Sequence, residues 1–343
     1  MVGKEYLDPE VSHKTHRPIP TCLRNHAFIQ EVNAGRGPIH MVTMEAFQDP
    51  HLEEIGWHNF LGMTVGQAVL WASTDIDPKY ENPELTTSEP YVMGSHATGC
   101  GAWCSGPEDV SPPEYFWGYN RMTTVHGLFG AGDAVGGTPH AFSSGSFTEG
   151  RIAAKAACKY IDDGKAEGIR VSAAQIEKRR EQIYKPMETY KIYRNEITAG
   201  SVNPNYINAR QALDRLQKLM DEYVGGVTVN YMTNEKLLNI GMKKMKMLEE
   251  DLDKLAAENV HELLRAWEVR HRHMASEAVI QHTLFRKETR WPGYYYRGDY
   301  MKVDDANWHV LTVSRRDPET GEYTMEKAPC YHLIGEGEEE AAA

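Results

Sequence analysis

The chain has 343 residues, of which 41% are hydrophobic, and a formal net charge of −12 at pH 7. Its length is sufficient for two domains, or for one large domain with an appendage, and its acidic balance argues against the basic footprint of an extended nucleic-acid-binding surface. It has no apolar run long enough to span a bilayer, no secretory signal and only five scattered cysteines, so the composition predicts a cytoplasmic protein with free thiols.

The first predicted elements are helices. Residues 21–34 have apolar side chains on one helical stripe, and Gly35 is predicted to end that helix. Residues 43–75 also read as helical but interrupted, and residues 75–89, which contain two prolines, are predicted to form a polar connector. The apolar spacing in these helices indicates core packing rather than a site.

A glycine-studded segment, Met93–Gly101, follows and contains His96. An imidazole near its ordinary pKa can hold an oxyanion or shuttle a proton, although a loop histidine can equally satisfy backbone groups. Cys100 and Cys104 are spaced like a ligand pair, but a tetrahedral or cluster site needs about four ligands. No second pair lies nearby in the sequence, which therefore predicts packed thiols and no metal site.

Residues 106–121 are an aromatic, proline-rich insertion. Such an insertion can be a partner-binding or lid surface, or it can be a loop that its aromatic side chains hold to the core. The sequence leaves both interpretations open.

The next segment, Gly127–Gly137, reads as a strand followed by a turn and a helix. Leu128–Ala131 is predicted as a short buried strand of a parallel sheet. At its carboxyl end Asp133 could reach a ligand, and the serines at 143, 144 and 146 are candidate N-caps of an alanine-rich helix that Gly164 ends. The free amides of such a helix terminus suit an electron-rich ring edge. An ordinary strand–loop–helix unit with a turn aspartate explains the same pattern.

From about Val171 onward the chain is predicted to be mostly helical. Apolar residues recur at helical spacing over residues 172–198, 205–223 and 233–273, and the methionines at 242, 245 and 247 are predicted to fill the core. Residues 308–314 and 323–326 are predicted as two strands joined by a turn at 317–321. The acidic tail is predicted to be disordered or solvated.

Several of these runs resemble the flavoproteins of the fumarate reductase/succinate dehydrogenase family. The segment LFGAGDAVGG, with SSGSFTEGRIAAKAA after it, is similar to that family's second flavin-contacting segment. The runs RNHAFIQEVNAGRGPIHM and TSEPYVMGSHATGCGAWCSGPEDVSPPEYFWGYNRMTT resemble, within that family, the alpha subunits of dissimilatory adenylylsulfate (APS) reductase. The similarity extends from Thr21 to about Leu333 and includes the carboxyl-terminal motif of Glu288–Arg290, Arg297–Asp299 and Asp304–Trp308.

The resemblance implies an α/β plus α fold. It consists of an incomplete FAD-binding domain of the succinate dehydrogenase/fumarate reductase type, part of a capping domain, a helical domain and a small carboxyl-terminal β segment. The expected boundaries are 1–88 for the capping-domain remnant, 89–170 for the second half of the FAD-binding domain, 171–280 for the helical domain, and 281–343 for the β segment with the acidic tail. The chain has no Gly-x-Gly-x-x-Gly fingerprint, so we expect a fragment that is inactive alone.

The resemblance also implies a site. His96 would be the catalytic residue that faces the substrate, and Asp133 would bind the ribityl chain of FAD. The ring of FAD would be held by the glycine loops and by serine backbone amides. The expected cofactor-binding residues are Gly94, Ser95, Gly132, Asp133, Ser143, Ser144 and Ser146.

The implied reaction interconverts APS with sulfite plus AMP, in dissimilatory sulfur metabolism, through a flavin–sulfite adduct. Electrons would come from an iron–sulfur beta subunit, which would hold the clusters. A fumarate reductase-like enzyme and a non-catalytic module that docks an iron–sulfur partner are the alternatives. Pro90 and Ala141 stand where the dicarboxylate enzymes have a substrate-binding histidine and arginine, which counts against the first alternative.

Overall fold

The computed structural model describes residues 21–63, 65–85, 100–136, 142–168, 170–196, 202–290, 292–293 and 295–330. The chain divides into two compact units, Met1–Ser88 and Glu89–Ala343. None of the helices in the described ranges is long and apolar enough to cross a membrane.

The described part of the first unit is helical. Its helices are α1 (Thr21–Glu31), α2 (Thr43–Ala46), α3 (Pro50–Met63) and α4 (Val65–Ser73). These bounds confirm a helix after residue 20 and interrupted helices over 43–75. A π-helical stretch, Val32–Arg36, follows α1, and within it Gly35 has a left-handed, non-helical conformation (φ 75°) that interrupts the helix there.

Aromatic rings form the core of the first unit. Phe60 and Trp71 lie edge to face, with ring centroids 4.7 Å apart, and Trp57 packs edge to face against both. Phe47 is buried beside them. Aromatic pairs stabilise the fold through the surface that they bury and also through their preferred ring geometry. These contacts therefore fix how α3 and α4 pack together.

The second unit contains the longer helices. They are α5 (Phe142–Asp162), α6 (Ala173–Tyr193), α7 (Ala209–Val224), α8 (Glu235–Leu252) and α9 (Val260–Phe285), followed by the short α10 (Asp305–Trp308). The single helix predicted over 233–273 is wrong, because the structure breaks it at residues 253–259. There the amides of Ala256 and Ala257 bond to Ile207 and Pro186 instead of continuing a helix. Asn259 then caps the start of α9 by accepting a hydrogen bond from the Glu262 amide.

Helices α7, α8 and α9 enclose the main hydrophobic core. Its buried members are Ala212, Leu216, Leu219, Val224, Leu238, Met245, Leu248, Leu252, Leu255, Ala266, Val269 and Ile280. Met242 packs against this cluster, so two of the three methionines fill the core as predicted. Met247 is exposed, and the prediction for it is wrong.

Truncation of Leu238 tests this core. Leu238→Ala is expected to lower the free energy of unfolding by about 2–5 kcal/mol, because the fully buried side chain leaves a cavity. Leu264→Ala removes the same atoms from an exposed position on α9. It should therefore lower the free energy of unfolding by no more than about 0.5 kcal/mol. Denaturant titration followed by circular dichroism measures both losses, and equal losses would contradict this placement of the core.

The described residues of the second unit form two pairs of strands. Strands β1 (Met232–Thr233) and β2 (Tyr296–Arg297) pair in parallel. Strands β3 (Val310–Arg316) and β4 (Tyr323–Pro329) form an antiparallel hairpin in the register Val310↔Pro329 to Arg316↔Tyr323. This hairpin confirms the predicted strand pair, and the Asp317 carboxylate closes its turn by accepting hydrogen bonds from the amides of residues 319 and 320. Trp308, predicted to begin the first strand, lies in α10.

The buried strand predicted at Leu128–Ala131 is wrong. Leu128 is exposed, and Phe129 forms only an isolated antiparallel bridge to Met122. Residues 121–130 fold back on themselves, with the Gly130 amide bonded to the Arg121 carbonyl and the Thr123 amide bonded to the Leu128 carbonyl. The main-chain amides and carbonyls of residues 121–130 therefore form hydrogen bonds within this loop and not with neighbouring strands of a parallel sheet.

The carboxyl-terminal motif is a buried ionic network. Glu288 is fully buried and accepts hydrogen bonds from Arg286, Arg290 and the Asp304 amide. Arg297 is also fully buried and donates to main-chain carbonyls at the carboxyl end of α9 and to the Asp299 carboxylate. The residues of this motif therefore have a structural role.

Candidate functional site

The candidate site lies where the turn Gly132–Ala134 meets the first turns of α5. This turn is a short 3₁₀ helix, and Gly132 has a left-handed conformation (φ 63°). A Cβ atom built on Gly132 would lie 3.2 Å from the Ser146 hydroxyl oxygen. Glycine therefore allows the turn to approach the helix closely, and two of the predicted cofactor-binding residues, Gly132 and Ser146, are adjacent in the structure.

A second backbone segment supports the turn from the other side. The Ala102 amide donates to the Ala134 carbonyl (2.7 Å), and the Gly136 amide donates to the Ala102 carbonyl (3.1 Å). Ala102 and Val135 thus form a parallel bridge. Gly101 lies so close that an added Cβ atom would be 2.6 Å from the Gly136 nitrogen. The described end of the first glycine-containing segment therefore touches the second segment through main-chain atoms.

The start of α5 differs from the predicted cap. The helix begins at Phe142, so Ser143, Ser144 and Ser146 lie inside its first turns and are not N-cap residues. The first four N–H groups of an α-helix, those of the cap residue and of the first three helical residues, have no partner within that helix. Within the described residues of α5 these are the amides of residues 142–144. The Ser146 amide lies beyond them, which leaves the Ser146 hydroxyl as its group nearest the Gly132 turn.

The surface at this helix start is open among the described residues. Ser143 and Ser146 are exposed, and the Phe147 side chain is 82% exposed. Free amides and the partial positive charge of a helix start favour an electron-rich group. The arrangement can therefore donate hydrogen bonds to the edge of a polar ring and pack an aromatic face beside it.

Several predicted site residues are beyond what the structure describes. Gly94, Ser95 and His96 lie outside the described residues. Asp133 and Ser144 are described only by their backbone, Asp133 in the 3₁₀ turn and Ser144 in α5. Their assigned roles stay predictions.

Sequence reasoning missed an ion pair behind the site. Arg121 and Glu149 form a two-pronged ion pair in which the Arg121 Nη2 to Glu149 Oε1 distance is 2.9 Å and Nε also donates to Oε2. Glu149 is buried on α5, where Ala153, Ala156 and Tyr160 continue the same helical stripe. A glutamate on an otherwise apolar stripe was the sequence signal that could have found this pair.

The aromatic insertion is held together at its base. Trp103 stacks near Tyr115 and Trp117, with ring centroids 5.0 Å and 6.2 Å away. The fully buried Ser105 accepts a hydrogen bond from the Trp117 amide (2.8 Å). These contacts support the interpretation of a loop that its aromatic side chains hold to the core.

The two cysteines near the site are half-buried free thiols. Burial raises the pKa of both Cys100 and Cys104, so each thiol stays protonated near neutral pH. In the part of the chain that the structure describes, no group of three His, Cys, Asp or Glu side chains could hold a metal ion.

A comparison with protein families relates part of the chain to the fumarate reductase flavoproteins. Residues 213–333, which include helices α8 and α9 and the hairpin β3–β4, match the family model described as the fumarate reductase flavoprotein C-terminal region. This match covers the core helices and the buried ionic network rather than the Gly132 turn.

Similarity over the rest of the chain is more specific. The chain is 43% identical, over 92% of its length, to the adenylylsulfate reductase subunit alpha of Megalodesulfovibrio gigas. It is similar to the solved adenylylsulfate reductase of Archaeoglobus fulgidus, with a TM-score of 0.83, 46% identity, and coverage of 97% of this chain and 55% of that chain. It is equally similar in fold to an adenosine-5-phosphosulfate reductase in complex with sulfite as a covalent adduct, at TM-score 0.83 and 48% identity, covering 93% of this chain and 52% of that one.

These findings confirm the resemblance and the fold class that the sequence predicted. Nearly the whole chain is similar to adenylylsulfate reductase alpha subunits, and it spans about half the length of the curated relative that it matches. The mixed helical and β architecture is that of partial flavoprotein domains of this type.

Proposed function

We propose that this chain is the carboxyl-terminal part of the flavoprotein subunit of an adenylylsulfate reductase, a cytoplasmic enzyme. The enzyme would interconvert APS with sulfite plus AMP, and an iron–sulfur beta subunit would exchange electrons with it. The similarity at 43% identity over 92% of the chain is the observation that carries this proposal. The relative described with a sulfite adduct supports the same sulfur substrate.

The residues at the candidate site fit an FAD ring. Gly132 lets its turn pack closely against Ser146, because a Cβ atom there would lie 3.2 Å from the Ser146 hydroxyl oxygen, so the turn and the start of α5 together offer one surface to a ring. The free amides of residues 142–144 can donate to the ring's polar edge and favour negative charge there. When bound, FAD supplies the two-electron redox chemistry of such a site.

The roles of the chain's own residues follow from this fit. The Gly132 turn and the first turn of α5 would bind and orient the ring, with Asp133 on the ribityl chain. Gly94, Ser95, Ser143 and Ser144 would complete the contacts to the ring. His96 would face the substrate and would hold an oxyanion or move a proton at one of its ring nitrogens.

A complementation experiment tests the proposal. The chain is mixed with FAD, the beta subunit and the amino-terminal half of the M. gigas alpha subunit, and the visible spectrum is recorded before and after sulfite. We expect the reconstituted protein to retain flavin and the flavin band to bleach with sulfite. The chain mixed only with FAD is expected to show neither effect. If the reconstituted protein retains flavin but its flavin band does not change with sulfite, the proposed sulfur substrate is wrong.

A dicarboxylate reductase is the second candidate, because residues 213–333 match the fumarate reductase flavoprotein C-terminal model. The same reconstituted protein separates the two functions. Oxidation of a reduced dye by fumarate would favour the second candidate, whereas sulfite bleaching without fumarate activity would favour the first.

A further inference from the structure

The Arg121–Glu149 pair joins α5 to the loop that precedes the Gly132 turn. Both side chains are shielded from water, with exposed fractions of 17% for Arg121 and 6% for Glu149. The two parallel hydrogen bonds fix both the distance and the angle between these groups. A shielded, two-pronged pair restricts local geometry far more than a surface ion pair does.

Arg121 is also held by its main chain in an unusual conformation. Its φ is +62°, in the left-handed region that side chains other than glycine enter rarely and at a cost. Its amide donates to the Ser105 carbonyl (2.8 Å), and its carbonyl accepts from the Gly130 amide (2.9 Å). An arginine at a position that glycine would fill more easily indicates that its side chain has a specific task.

Glu149 transmits this constraint to the candidate site. It lies three residues after Ser146 on α5, so both side chains occupy neighbouring positions on one face of the helix. Ser146 is the residue that packs against Gly132. The pair therefore holds α5 one helical turn away from the contact between the helix and the glycine turn.

We propose that Arg121 and Glu149 are positioning residues for the cofactor site, an inference that rests on the proposed function. The pair keeps the free amides at the start of α5 and the Gly132 turn at a fixed separation, and so maintains the geometry that receives the ring edge of the flavin. Neither residue needs to touch the cofactor to have this effect.

Two variants isolate the pair. Glu149→Gln keeps the shape and removes the charge. Arg121→Asn removes the guanidinium and uses a residue that tolerates the left-handed conformation, so no backbone strain is added. Asp214→Asn is the control, because it removes the charge of an exposed pair with Arg210.

Hydrogen exchange of the full chain without flavin gives the first readout. We expect amides at the Gly132 turn and after the first turn of α5 to exchange about tenfold faster in both pair variants. The Asp214→Asn control should leave them unchanged. Unchanged exchange in the pair variants would overturn the inference, whether or not flavin binds.

Flavin affinity of the reconstituted protein gives the second readout. We expect the dissociation constant for FAD to rise about tenfold in Glu149→Gln and Arg121→Asn. Leu238→Ala should lower the unfolding temperature more and yet leave this constant unchanged. If Leu238→Ala weakens FAD binding equally, the pair acts only through stability and the inference is overturned. If the unmutated reconstituted protein holds no flavin, the proposed function is wrong and so is the flavin part of this inference. Faster hydrogen exchange in the two pair variants would still show that the ion pair restrains the Gly132 turn and α5.

Discussion

Replacement of Arg297 by methionine is expected to lower the free energy of unfolding of the second unit by about 3–5 kcal/mol. The guanidinium is fully buried and donates to the carbonyls of Thr283 and Arg286 at the end of α9. It also forms two hydrogen bonds with the Asp299 carboxylate, each 2.9 Å long. Methionine fills much of the volume but leaves these acceptors without a donor, and unpaired buried polar groups are costly.

The position of Asp299 extends the effect to a second helix. Its carboxylate also accepts the Glu235 amide at the start of α8 (2.9 Å). Burial acts to raise the pKa of the Asp299 carboxyl, but the hydrogen bonds from Arg297 and from main-chain amides, together with the Arg297 charge, outweigh burial and hold that pKa below its ordinary value. Arg297 and Asp299 thus connect the carboxyl end of α9 with the amino end of α8. The positive charge of Arg297 lies at a helix carboxyl end and the negative charge of Asp299 at a helix amino end, so both interact favourably with the helix dipoles.

Denaturant unfolding of Arg297→Met measures this loss. Arg210→Met is the control, since the Arg210 side chain is 80% exposed and pairs with Asp214 along one helix. Its loss should be about 0.5 kcal/mol or less. Arg297→Lys is expected to recover only part of the stability, because an ammonium cannot reproduce the planar fork. A loss in Arg297→Met as small as that of the control would show that the network is not needed for the fold.

The spacing of apolar residues predicted the long helices, because a helix that buries one face repeats apolar side chains at helical spacing. Helix α7 shows this well, since its apolar stripe matches the core and the Asn208 side chain caps its start by accepting the Gln211 amide. The break at residues 253–259 was missed for the same reason. Leu255 is buried in that loop and keeps the helical spacing of Leu252, so the apolar pattern continues where the backbone does not.

The candidate site was harder to predict because its parts are distant in sequence. Glycine spacing and the family resemblance indicated Gly132 and the start of α5. The strand predicted before Gly132 was wrong, because residues 121–130 pair with each other. The ion pair of Arg121 and Glu149 depends on that fold-back, which no periodicity in the sequence reveals.

Gly101→Ala is expected to disrupt the candidate site more than a methyl addition at Gly130, Gly132 or Gly136. An added Cβ atom would lie 2.6 Å from the Gly136 nitrogen and from the Val135 carbonyl carbon, and 2.7 Å from the Ala134 oxygen. All three are main-chain atoms, so no side chain can rotate to relieve the contact. The segment that carries Gly132 and Asp133 would have to move, at a cost of about 1–3 kcal/mol.

The expected functional result follows from where the displaced backbone lies. Ala134 ends the Gly132 turn and Gly136 follows it, and the hydrogen bonds of these two residues to Ala102 hold the turn in place. We therefore expect Gly101→Ala to weaken FAD binding in the reconstituted protein by more than about tenfold. The visible flavin band remaining after gel filtration measures this change.

Gly150→Ala is the matched control for this prediction. Gly150 lies on α5, near the same site, and an added Cβ atom would meet nothing within 4 Å. Because alanine favours a helix over glycine, Gly150→Ala should raise stability by about 0.5–1 kcal/mol and leave flavin binding intact. Loss of flavin in Gly101→Ala but not in Gly150→Ala would tie binding to the separation of the two glycine segments. Full flavin retention in Gly101→Ala would instead place the cofactor away from the Gly132 turn.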